Sequence, residues 1–246
     1  DLEPSRMKNL NQLAIIWAFS IFMSASSLVH AQADPTFQSE LELGAIVTSG
    51  NTEDQNIKMR ATFEWDREDW QYGFSSDGFR SSNTNGLVAQ RLYHVGRVSY
   101  EINSDSFVRA RASYEDDRFS GFDNQSDFSV NYGRNLLLNL SDISLAINFG
   151  AGVRQSKQGE ITSNEAIARG EGNFEWALSR SATFTQDFSI DSGSDSSIVR
   201  SESAIESEIL NNLTMKFSVK IKHQTVVPFL REKTDTETAV TLVMNF

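Results

Sequence analysis

The residues of this chain that could do chemistry are mostly charged, and they recur at alternate positions. Arg97, Arg109 and Arg111 lie on two segments that would pair with Arg97 directly opposite Arg111. Like charges facing each other across a strand pair are destabilising, so something must compensate them. Glu171, Glu175 and Asp187 fall at similar height about half-way round the same pattern. A basic patch facing an acidic one across an enclosed space makes a transverse field that orients and filters charged solutes. If the arginines instead reach across and pair, the same residues close that space. The sequence supports a selective pore and a closed plug equally.

A second charged series has a simpler purpose. Glu202 and Glu206 precede Lys216 and Lys220 across a turn at Asn211 and Asn212. One extra loop residue keeps both sets on one face and pairs Glu206 with Lys216 and Glu202 with Lys220. Such a structural charge ladder contributes about 0.2 to 1 kcal/mol per pair. Enzymatic chemistry is not indicated. A hydrolase needs a nucleophile beside its base and a group that orients the base. His94 and His223 have no serine two residues away, and no Gly-x-Ser-x-Gly occurs. Asp116, Asp117, Asp123 and Asp127 are oxygen ligands of the kind calcium or magnesium takes. Their spacing does not fit an EF-hand loop, and an acidic surface loop is the plainer reading, so no metal site is expected. Cysteine is absent, which removes disulfides and thiolate ligands, and no cofactor is expected. The net charge of −11 argues against nucleic acid as a partner.

These side chains share a face only if the backbone alternates them, and a strand does so with a period of two. The last eleven residues alternate strictly: Thr238, Val240, Leu242, Met244 and Phe246 on one parity, more polar residues on the other. Similar runs recur about every 18 residues, for example Leu41, Leu43, Ala45, Val47 and Ile143, Leu145, Ile147, Phe149, Ala151, Val153. Twelve strands are expected, with almost no helical pattern between them. Proline occurs only at Pro4, Pro35 and Pro228, outside the strand interiors, as an intact ladder requires. Short connections near residues 67–69, 103–105, 139–142, 179–180 and 211–212 alternate with longer ones near 50–55, 81–86, 116–126, 156–164 and 228–234. Short turns at one end and longer loops at the other is the outer-membrane arrangement, with both chain ends on the short-turn side. Trp65, Trp70, Tyr72, Tyr100, Trp176 and Phe246 fall beside the short turns on the apolar parity, as an aromatic girdle does. Strand four is irregular: Gln90, His94 and Gly96 interrupt its apolar parity, which admits a bulge or a protomer contact.

The amino end reads as a leader. Residues 1–6 precede Met7 and are expected to be upstream or artificially added residues. Residues 7–33 combine a weakly positive start, an apolar run of about 11 residues and a small-residue stretch, as a secretory signal peptide does. Cleavage is expected after Ala31 or Ala33. The run is too short for a spanning helix, which needs about 20 residues. Residues 34–246 are then one domain. Their mean hydropathy is unhelpful, because a barrel with apolar residues outside and polar ones inside averages to a soluble value.

At residues 48–53 (TSGNTE), 114–125 (YEDDRFSGFDNQ) and 234–246 the chain resembles the salt-induced outer-membrane proteins, a bacterial family classed as a numbered domain of unknown function. The resemblance implies an exported outer-membrane β-barrel and supplies no catalytic residues. The expected protein is therefore all-β: a closed, antiparallel, up-and-down transmembrane barrel of about twelve strands in the bacterial outer membrane. Its partners would be membrane lipid, lipopolysaccharide, and the barrel-insertion machinery, which reads the apolar C-terminal strand ending on Phe246. Its function would be passive passage of small hydrophilic solutes or ions, in a setting of salt or envelope stress. The alternatives are a structural envelope barrel with a plugged lumen and an outer-membrane phospholipase.

Overall fold

The computed structural model describes residues 37–49, 54–83, 86–117, 121–137 and 140–246. The expected leader and its cleavage sites lie outside the described residues. The strands are β1 (Phe37–Ser49), β2 (Asp54–Arg67), β3 (Trp70–Asn83), β4 (Gly86–Asn103), β5 (Ser106–Asp117) and β6 (Asn124–Leu136). They continue as β7 (Ile143–Gln158), β8 (Ile161–Ala177), β9 (Ala182–Gly193), β10 (Ser197–Leu210), β11 (Leu213–Gln224) and β12 (Thr234–Asn245). Each strand is hydrogen-bonded to its sequence neighbours, and β12 pairs with β1 to close a barrel. Closure removes both sheet edges, which is what an all-β chain needs to satisfy its backbone polar groups in lipid. At the seam, Phe246 and Ser39 exchange backbone hydrogen bonds of 2.9 and 3.2 Å.

The barrel is inside-out relative to a soluble protein. Ile57, Met59, Phe149 and Val153 point outward and are 57–73 % exposed, whereas Lys58, Glu42, Arg154 and Asp191 are at most 1 % exposed. Alternation alone produces this: one parity meets lipid, the other the enclosed interior. Trp65, Tyr72, Trp70 and Tyr100 form a continuous outward-facing row through their cross-strand pairing. Trp65 and Tyr72 stack at 5.3 Å between ring centroids, and Trp70 and Tyr100 lie 5.0 Å apart. Trp176, opposite Phe184, and Phe246 face outward at the same short-turn end.

Several boundaries differ from the sequence expectation. The connection expected over 156–164 is a two-residue turn at Gly159 and Glu160, because β7 and β8 keep pairing out to Gln158↔Ile161. The left-handed Gly159 (φ +60°) makes that tight turn possible. Likewise β3 and β4 pair out to Asn83↔Gly86, leaving two residues where 81–86 was expected to loop. In the opposite sense, β6 ends at Leu136 and β7 begins at Ile143, so the connection is longer than the expected 139–142, and Leu137 takes φ +60°. Strand β4 carries no bulge at Gln90, His94 or Gly96. Its register with β3 is unbroken from Trp70↔Tyr100 to Ser81↔Ala89 and shifts only between Ser81 and Ser82. His94 fills the gap in the apolar row by stacking between Phe74 and Tyr114, at 6.3 and 6.5 Å.

Candidate functional site

The lumen is where the charged parities converge. The register that places Arg97 opposite Arg111 and Ser99 opposite Arg109 is observed between β4 and β5. Compensation is unequal. Arg109 reaches Glu171 on β8 at 3.5 Å and donates to the Ser99 hydroxyl at 2.9 Å. Arg111 donates to the Tyr93 hydroxyl at 2.5 Å and to the Ser113 hydroxyl at 3.1 Å, with no carboxylate within 4 Å among the described residues. Arg97 makes no ion pair among the described residues. The expected opposition of three arginines to three carboxylates is thus reduced to one contact, Arg109 to Glu171. Asp187 accepts from Asn173 at 2.7 Å rather than from a cation. Glu175 lies beside the short turns, exposed, and faces no arginine of this group.

Two large ion-pair networks lace the interior among the described residues, beside a smaller cluster of Arg154 with Asp127 and Glu165. The first crosses the barrel: Glu115 on β5 accepts from Lys222 on β11 at 2.7 Å and from Arg200 on β10 at 3.0 Å. Arg200 continues to Asp191 at 3.1 Å, and Asp191 to Arg169 at 2.5 Å. Arg169 then meets Glu171 at 2.6 Å. The second joins β2 to β10, where Arg60 holds Glu202 through two parallel hydrogen bonds of 3.0 and 2.9 Å. That fork geometry is the strongest form of a carboxylate contact. Arg60 also donates to Asp77 at 3.1 Å. Asp77 receives Arg91 at 2.8 Å and Lys220 at 3.5 Å, and Arg91 pairs with Glu237 on β12.

The ladder between β10 and β11 has the expected register, Glu206↔Lys216 and Glu202↔Lys220, with the irregularity between Glu208 and Leu210 that keeps both sets inward. Its contacts are only partly those expected. Lys216 pairs with Glu206 at 3.2 Å. Lys220, however, turns to Asp77, and Glu202 is taken by Arg60. The guanidinium outcompetes the cross-strand ammonium because it offers two donors in one plane.

Between the networks lies a cavity of about 240 Å³. Its lining includes Arg97, Arg111, Glu171 and Asp187 of the six expected pore residues, together with Tyr93 and Lys220. Among the described residues it carries six cationic side chains and four carboxylates, an excess of cations inside a chain whose net charge is −11. Tyr93 ties the cavity together. Arg200 and Lys220 lie over its ring at 5.3 and 5.8 Å, and Arg111 holds its hydroxyl. Tyr93 and Asp77 escaped the sequence reading. Asp77 shares the parity opposite to Trp70, Tyr72 and Phe74, and Tyr93 that of Arg91 and Arg97, so parity alone could have found both.

The other candidates disperse, Asp127 as an inward-facing residue of β6 rather than a loop carboxylate. Asp127 is spent on Arg154 at 2.9 Å and on the Ser113 hydroxyl at 3.0 Å, and Asp123 accepts from the Gly159 amide at 3.0 Å. Among the described residues no three His, Cys, Asp or Glu groups converge as a metal site would require. His223 Nδ1 lies 2.8 Å from the hydroxyl of Thr234, its own cross-strand neighbour, and no serine pairs with it among the described residues.

Comparison with solved structures places the fold among outer-membrane barrels. The NanC porin matches with a TM-score of 0.57 and 10 % identity, covering 83 % of this chain and 98 % of the porin. The KdgM porin, solved in complex with disordered oligogalacturonate, matches at 0.50 with 14 % identity over 84 % of this chain and 99 % of the porin. The translocator domain of the autotransporter NalP from Neisseria meningitidis matches at 0.52 with 10 % identity, over 97 % and 98 %. At such identities the likeness is one of fold. In sequence, the uncharacterized protein YdiY of Escherichia coli (strain K12) is 25 % identical over 214 residues, 86 % of this chain and 84 % of YdiY. The family model described as "Protein of unknown function, DUF481" matches residues 41–246, and the chain belongs to that family.

Proposed function

We propose that this protein is a passive, non-enzymatic outer-membrane channel for small hydrophilic solutes or ions, with a narrow constriction that favours anions. The observation that carries this is the chemistry of the lumen. Its narrow zone is built of ionised groups around a cavity, and Arg97 and Arg111 face that cavity with no carboxylate paired to them. A barrel that only needed a filled interior would gain as much or more from well-packed apolar side chains, because buried ion pairs are often no more stabilising than hydrophobic replacements. Unpaired guanidinium groups in a confined space raise the local concentration of anions. Barrels of the same fold include porins, which is consistent with this reading.

In this proposal both chain ends face the periplasm and the longer loops face lipopolysaccharide. The apolar strand β12 with the following Phe246 is the signal for the insertion machinery, and salt or envelope stress is the physiological setting. The purified protein in planar bilayers under a salt gradient is expected to conduct with a reversal potential favouring chloride. Arg97→Ala with Arg111→Ala moves that potential toward the cation side. Silent bilayers across salt and voltage reject the channel.

A second reading, a structural barrel with a plugged lumen, is favoured by the bridge from Lys222 through Glu115 to Arg200, which joins opposite walls. In that case the wild type is silent, and only variants that break the bridge conduct. Lipid hydrolysis is a third and weaker reading, and it fails if His223→Ala leaves phospholipase activity at background.

A further inference from the structure

The hairpin loop of residues 225–233 joins β11 to β12, and Gly121, Phe122 and Asp123 stand in the connection from β5 to β6, just before β6. In the closed strand order these two connections stand diametrically opposite, five strands apart from β11 to β6 and again from β12 to β5. They nevertheless touch. A Cβ placed on Gly121 would lie 2.8 Å from Pro228 Cγ and 3.0 Å from Arg231 Cγ. Gly121 also takes φ +87°, a conformation that favours glycine. The 225–233 loop therefore crosses the mouth of the barrel and rests in a seat that only a residue without a side chain provides.

We propose that this loop is a gate strapped across the loop-end mouth, closed onto Gly121 in the present structure. The proposal rests on the channel reading above and adds its regulation. The base of the strap is fixed. The Gln224 backbone N–H donates to the Lys233 carbonyl at 2.8 Å, the Thr225 backbone N–H to the Ser197 carbonyl at 3.0 Å, and the Ser197 backbone N–H to the Thr225 hydroxyl at 2.9 Å. Its tip is a compact turn, with the Arg231 amide donating to the Pro228 carbonyl at 3.1 Å and Leu230 at φ +66°. That tip is almost free of packing: Phe229 is 91 % and Leu230 86 % exposed. A segment with a pinned base, a rigid turn and little buried apolar area opens at low free-energy cost. Just below, Lys222 at the end of β11 meets Glu115 across the lumen, so strap and bridge close the same end from two levels.

The native chain has no cysteine, so engineered thiols report without background. Phe122→Cys with Arg231→Cys is treated with a short bismaleimide, and folding is followed by the heat-dependent gel mobility of the barrel. A second variant replaces residues 226–232 by a two-residue turn. The gate predicts a loop-to-loop cross-link, loss of conductance on cross-linking, and severalfold higher conductance in the shortened variant. Failure of the folded double variant to cross-link overturns the placement of the strap. Cross-linking that leaves current unchanged, in a barrel that conducts equally with the full and the shortened loop, overturns the gate alone. Silence in every variant, the shortened one included, overturns the channel reading and the gate with it.

Discussion

Glu115→Gln is the most informative single substitution in the lumen. The carboxylate is 5 % exposed and holds two cations from the opposite wall, Lys222 at 2.7 Å and Arg200 at 3.0 Å. At an effective dielectric of about 20, each contact carries roughly 6 kcal/mol of gross Coulomb attraction. Most of that is offset by the desolvation of the ions, and breaking a buried pair costs about 3–5 kcal/mol net. Arg200 keeps Asp191 as a second carboxylate at 3.1 Å, so the lower end applies. The expected loss is about 3 kcal/mol, which at a urea slope of about 2 kcal/mol per molar lowers the unfolding midpoint by roughly 1.5 M. The assay is urea unfolding of the barrel in lipid vesicles, followed by tryptophan fluorescence. The same variant is expected to conduct more than the wild type, because the link between β5 and β11 is gone. An unfolding free energy within about 0.5 kcal/mol of the wild type, the range of an indifferent surface change, would refute the idea that this bridge holds opposite walls together.

Two further substitutions probe the framework. Glu202→Leu alone should cost about 3 kcal/mol by removing the two-pronged partner of Arg60 and leaving it only its contacts to Asp77 and Glu42, whereas Arg60→Met with Glu202→Leu should return to within about 1 kcal/mol of the wild type, a coupling read by a double-mutant cycle. Gly152→Val should abolish assembly into the heat-modifiable barrel, since a Cβ at Gly152 meets the backbone of β6 and such overpacking costs upwards of about 3 kcal/mol. Normal yield of the folded Gly152→Val barrel would contradict the close approach of β6 and β7.

The fold was legible because period-two alternation is a local property. Val240, Leu242 and Met244 declare their face without reference to any other strand. Register was legible wherever a turn and two inward charge sets had to agree, as at Glu206↔Lys216 and Arg97↔Arg111. Loop lengths were less so. Residues 156–164 are polar apart from Gly159 and Ile161, and polarity describes a strand beyond the apolar band as well as a loop. Partner choice in the lumen was not legible at all. Whether Glu202 takes Lys220, its cross-strand neighbour, or Arg60, four strands away, depends on how far opposite walls approach. That distance is set by the closed shape rather than by any segment. The crossing of the mouth by residues 225–233 was hidden for the same reason: nothing in the sequence near Pro228 points to Gly121.

The central claim is that a lumen of ionised side chains passes ions and prefers one sign. Single-channel recording of the purified, full-length barrel under a potassium chloride gradient tests it most directly. Discrete openings with a chloride-favouring reversal potential, shifted toward potassium by Arg97→Ala and Arg111→Ala together, are the predicted result. A membrane that stays silent with correctly folded protein, or openings whose selectivity ignores both arginines, would contradict it.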